Sequence, residues 1–123
     1  MFMNNNDKKI ENFKFIFEIY NDSFKKYGLK LIGKGCNIDD FKFSIILEVR
    51  VEDIKKVPKD GFEVKVSLCD SENTILFNDI EYLEKVKLDE VNLVEVYFYK
   101  INLNDFTELR KVSNIRVYVT KAQ

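Results

Sequence analysis

The chain contains no histidine. That removes the commonest general base, the Ser–His and Cys–His couples, and the usual imidazole ligands of zinc and iron. It contains no tryptophan either, and no pair of carboxylates that the sequence brings together, so a glycosidase is not expected. Arginine is scarce: only Arg50, Arg110 and Arg116 stand among 20 basic residues. Phosphate and base-edge recognition draws on the guanidinium fork. With 21 acidic residues the net charge is −1, so no bulk field draws the chain to nucleic acid or an anionic membrane. Neither a nucleic-acid partner nor membrane insertion is expected.

No apolar run approaches the roughly 18 residues of a spanning helix. The first residues, MFMNNNDKKIENF, are polar and lack the apolar stretch of a secretory signal. The expected location is cytoplasmic, or extracytoplasmic where a leader has been trimmed. Two cysteines, Cys36 and Cys69, make no disulfide framework, and free thiols are expected. No phosphate loop, dinucleotide fingerprint or nucleophile elbow occurs. Lys34 between Gly33 and Gly35 is too short a segment to cradle phosphate and reads as a bulge in a strand.

What is present is alternation. Phe41, Phe43, Ile45, Leu47, Val49 and Val51 alternate with mostly polar neighbours. So do Phe62, Val64, Val66 and Leu68, then Val94, Val96 and Phe98, then Ile115, Val117 and Val119. A period of two is the mark of strands with one buried face, which is characteristic of antiparallel sheets. Turn formers punctuate the series at Asn37–Asp40, Pro58–Gly61, Asp70–Asn73 and Asn102–Asp105. The strand ending at Cys69 is expected to turn at Asp70–Asn73 and return through Thr74–Phe77. Leu29–Gly35 reads as a further strand. Two segments fit both periods: Ile10–Tyr27, read as a strand over Asn12–Tyr20 with a helix as the alternative, and Asp79–Val91.

With 123 residues, 46% hydrophobic and rich in Phe and Tyr, the chain suits one domain with a real core. The expected organisation is a flexible segment over 1–11 and a single β-sandwich over 12–123, with one short helix allowed. The abundance of Lys, Asn and Ile is a composition met in AT-rich bacterial or phage genomes.

The order of features, "GLKLIGKGCN", then "VKVSLCDSENTIL", then "VEVYFY" and "NIRVYV", resembles the FxLYD type of immunoglobulin-like β-sandwich domain. The family's motif would fall on Val66–Asp70, where Leu68 and Asp70 match, Val66 replaces Phe and Cys69 replaces Tyr. The resemblance implies an all-β, antiparallel immunoglobulin-like sandwich with a binding or spacer role. It brings no catalytic residues.

Cys36 follows Lys34 in an expected loop, where a thiol's pKa can be lowered. Without an activating partner both cysteines read as incidental or structural. Asp39, Asp40, Asp70, Glu72 and Asn73 are oxygen donors, but their spacing matches no calcium loop and turns account for them. No metal, cofactor or enzymatic activity is expected. Tyr97, Tyr99 and Tyr118 share the phase opposite the apolar series, with Arg116 near them, and are expected to form one exposed, adjacent patch. Tyr and Arg are enriched at interfaces. The leading expectation is a non-catalytic protein-interaction module using these four residues or an exposed sheet edge. A small carbohydrate-binding module using the same tyrosines is the alternative.

Overall fold

The computed structural model describes residues 14–38, 42–101 and 107–123. These form seven strands, β1 (Ile16–Ile19), β2 (Leu29–Ile38), β3 (Phe43–Val51), β4 (Phe62–Cys69), β5 (Ile75–Leu83), β6 (Val91–Phe98) and β7 (Asn114–Lys121), and one short helix, α1 (Asn21–Lys26). One sheet has the order β1-β7-β4-β5 and the other β2-β3-β6. The architecture is therefore a small β-sandwich, as the alternation predicts.

Among the described residues the alternating series lie inward as read, Phe41 falling outside them. Phe43, Ile45, Leu47 and Val49 of β3 face Phe62, Val64, Val66 and Leu68 of β4 across the core, and all are at most 1% exposed. Val94, Val96 and Phe98 complete one layer, and Ile115, Val117 and Val119 the other. Edge-on and tilted ring contacts link Phe15, Phe43 and Phe98, with centroids 6.1 Å apart in each pair. Such pairs add a little beyond their area burial.

One pairing departs from the expected antiparallel pattern. β1 runs parallel to β7, with Glu18 opposite Arg116. The antiparallel expectation rested on one-sided burial, which a short edge strand on the same sheet satisfies in either direction. The ambiguous N-terminal segment resolves into both alternatives in succession. Ile16–Ile19 is strand, and Asn21–Lys26 is helix despite its Asn-Asp-Ser start. The helix forms because Phe24, 1% exposed, is driven into the core at the open side of the sandwich.

The helix also repairs an edge. β1 ends at Ile19, while β7 continues to Lys121. The Val119 N–H donates to Ser23 Oγ at 3.0 Å, and that hydroxyl donates to the Tyr20 carbonyl at 2.6 Å. Ser23→Ala leaves the amide unsatisfied and should cost about 1–3 kcal/mol, read from urea midpoints. Ser23→Thr, which keeps the hydroxyl, should recover most of it.

Other boundaries follow local chemistry. The register of β2 on β3 shifts between Leu31 and Gly33, the bulge expected at the glycines. β2 runs on to Ile38, so Asn37 and Cys36 are strand residues, not loop. The Pro58–Gly61 turn closes with the Gly61 N–H donating to the Pro58 carbonyl. Asp70 Oδ1 accepts from the backbone N–H groups of Glu72 and Thr74, both at 2.9 Å, and forms the expected hairpin turn. The returning strand is longer than expected and takes in Asp79–Leu83, after which Lys85–Lys87 form a 3-10 turn. Asn92, buried in the inward phase of β6, bonds the Asp89 amide and carbonyl and the Val49 carbonyl. Residues 1–13, which include the start of the strand expected at Asn12, the expected turn at Asn102–Asp105, and Asp39–Asp40 lie outside the described residues.

Candidate functional site

The four residues expected to form one patch are divided between the two sheets. Tyr97 lies on the outer face of β6 and Tyr99 one residue past that strand's end. Tyr118 and Arg116 lie on the outer face of β7, in the other sheet. The two pairs therefore sit on opposite sides of the sandwich, which corrects the expectation of adjacency. Phase along a strand gives inside or outside. It does not give which sheet the strand joins.

Each pair has its own partners. The Tyr97 and Tyr99 rings stack at 5.6 Å with an interplanar angle of 24°. Lys42 Nζ lies 4.8 Å from the Tyr97 centroid and 5.5 Å from that of Tyr99, a geometry in which the ring quadrupole attracts the cation. The Tyr97 hydroxyl donates to Glu95 Oε1 at 2.7 Å, and Ser44, 1% exposed, donates to Glu95 Oε2 at 2.5 Å. Tyr97 is thus held by a part-buried network, while Tyr99 is 66% exposed. On the other side Tyr118 stacks on Tyr20 at 5.9 Å. The Arg116 guanidinium pairs with Glu18 at 3.3 Å, the residue that the parallel register sets beside it.

The feature that sequence reading did not isolate is the edge of β5. Among the described residues no strand pairs on its outer side. Side-chain phase explains why it ends the sheet. Asp79 and Glu81 stand in its inward phase, opposite the buried Val66 and Val64 of β4. Charges in the inward phase of an edge strand discourage edge-to-edge aggregation. The outward phase carries Asn78, Ile80 and Tyr82, with both Ile80 and Tyr82 47% exposed. The Ile80 N–H donates to Asp79 Oδ1 at 2.9 Å. Backbone groups of a strand alternate in direction, so the amides of Asn78 and Tyr82 point to the same free side.

Beside this edge lies a cleft of about 480 Å³ between the two sheets, lined by Ile75–Asp79 and by Phe98, Tyr99 and Lys100. Leu76 and Phe77 are half-buried in it, Phe98 is buried behind it, and Tyr99 stands at its rim. One expected interface residue, Tyr99, therefore belongs to the cleft and brings its stacked partner Tyr97 near it.

Neither cysteine is bonded. Cys36 is half-buried in β2, and burial pushes its thiol up to about 12, not down as a loop position would allow. Burial raises Cys69 as well, opposed by the nearby Arg116 charge. A thiol protected in the folded state from an ordinary value of 9.0 favours the fold below that pH. The unfolded chain releases the proton first, so this contribution is lost as pH rises from about 9 towards 12. Urea midpoints should therefore fall over that window less steeply in Cys36→Ala than in the native chain. Among the described residues no group of three or more His, Cys, Asp or Glu side chains gathers to hold a metal. No helix among them is long and apolar enough to cross a membrane.

Compared with protein-family models, curated proteins and solved structures, the chain matches none.

Proposed function

We propose that the protein is a non-catalytic interaction module that takes an extended segment of another protein as an added strand along β5. The observation that carries this reading is a nine-residue strand whose outer edge no strand pairs among the described residues, lying beside a cleft with an aromatic rim. Strand addition draws affinity from main-chain hydrogen bonds and specificity from pockets for alternate side chains. β5 offers both: free amides at Asn78 and Tyr82, and the Phe77–Phe98–Tyr99 hollow for one inward side chain. The resemblance to FxLYD-type immunoglobulin-like domains, with its binding or spacer role, points the same way. The carbohydrate reading needs open tyrosine faces, and Lys42 covering both Tyr97 and Tyr99 favours it less.

Random displayed peptides selected on the native chain provide the test. Ile80→Pro removes one outward amide and is tolerated by an edge strand, so circular dichroism should be unchanged. Selected peptides are expected to alternate in polarity and to lose binding to Ile80→Pro. Peptides that bind this variant as well as the native chain would move the site elsewhere, with the Tyr20–Tyr118 face the next place to look.

A further inference from the structure

The edge that accepts a strand also states what that strand must carry. In the inward phase β5 presents Phe77, then Asp79, then Glu81. A strand added to β5 sets its own same-face residues directly beside these three. Cross-strand neighbours of opposite charge stabilise a sheet and like charges oppose it. In the outward phase the neighbours are Asn78, Ile80 and Tyr82, two of them exposed apolar side chains that gain from contact with β-branched or aromatic residues. Lys100, at the cleft end, disfavours a cation beside Phe77.

From this placement we infer that the natural partner is an extended segment with lysine or arginine at two positions spaced by two, alternating with apolar residues, and an apolar anchor for the Phe77–Tyr99 cleft. This inference rests on the reading of β5 as a strand-accepting edge. A second copy of the chain fits poorly. Antiparallel pairing of two β5 strands centred on Ile80 sets Asp79 against Glu81 of the other copy, twice. Centring on Asp79 sets that carboxylate against itself. Both registers bring like charges together, whereas a basic segment meets opposite charge in either direction.

Asp79 adds a coupling between charge and backbone. Its carboxylate occupies the Ile80 N–H at 2.9 Å, an outward donor that an added strand requires. A basic side chain beside Asp79 draws the carboxylate to itself and frees that N–H for the incoming carbonyl. A neutral or acidic segment has to compete with the carboxylate for the same donor. The edge is therefore closed to most strands and opened by a basic one.

Two synthetic peptides test this, both with capped ends and a terminal phenylalanine. One alternates valine with lysine and the other valine with glutamate. Fluorescence anisotropy at low salt should show the lysine peptide binding the native chain about tenfold tighter or more, with the gap closing as salt rises. Asp79→Lys combined with Glu81→Lys changes one half-buried and one exposed edge side chain and should invert the preference. Asp79→Asn should reduce it. Equal binding of both peptides to the native chain, abolished by Ile80→Pro, would overturn the charge selection while leaving the strand-accepting edge intact. Binding of neither peptide would overturn both. A native chain that sediments as a dimer, and becomes monomeric in Ile80→Pro, would assign the edge to a second copy and overturn the inference.

Discussion

Leu68→Ala should lower the unfolding free energy by about 2–5 kcal/mol, the range for a large-to-small change at a fully buried site. Leu68 is 0% exposed and sits in the inward phase of β4, the central strand that pairs with both β5 and β7. Its removal leaves a cavity between two sheets whose neighbours, held by ladders on both sides, have little freedom to collapse. Ser67→Ala, one residue away on the outer face, should cost about 1 kcal/mol or less. The contrast reads the register of the strand, because a slip by one residue would exchange the two faces. Urea midpoints of the two variants in reversed order would contradict the register.

Gly28→Ala should cost about 2–6 kcal/mol, combining roughly 1–3 for a left-handed backbone with a similar amount for overpacking. Gly28 has φ +71°, and an added Cβ would collide with the carbonyl oxygen of Asp53. That contact cannot open cheaply. The Gly28 carbonyl accepts from the amides of Glu52 and Asp53, at 2.8 and 3.1 Å, so the end of α1 and the end of β3 are tied together. Gly61, with φ +93° and Leu83 backbone against it, should behave in the same way. Gly35→Ala is the control, since nothing lies within 4 Å of its added Cβ and no left-handed φ is involved. A fall in melting temperature for Gly28→Ala no larger than that for Gly35→Ala would contradict the close approach.

These two positions mark what the sequence makes legible. The inward residues of β3, β4, β6 and β7 were readable because alternation is a local property, and a one-sided sheet writes it directly into the chain. The turn at Asp70–Asn73 was readable because Asp70 bonds only its own neighbours. The Asp53 carbonyl pressed against Gly28 was not legible. That contact joins residues distant in sequence.

The candidate site was legible only in part, for the same reason. Tyr97 and Tyr99 were found by phase, and their closeness to each other is a local fact. Joining them to Tyr118 and Arg116 required knowing that β6 and β7 belong to one sheet, and they do not. The edge of β5 was hidden in "NDIEYL", which fits both periods. The signal that would have exposed it is the pair Asp79 and Glu81 standing in phase with Phe77 and Leu83. Charges in an otherwise apolar phase are a signature of an edge strand.

Amide hydrogen exchange on the native chain, with and without the valine–lysine peptide, tests the strand-accepting edge most directly. The outward amides of Asn78, Ile80 and Tyr82 should exchange quickly in the free protein, slowed only at Ile80 by Asp79. On peptide binding all three should become protected, while the amides around Tyr20 and Tyr118 stay as they were. Saturating peptide with Asn78, Ile80 and Tyr82 still exchanging at their free rates would contradict the proposal that β5 takes an added strand.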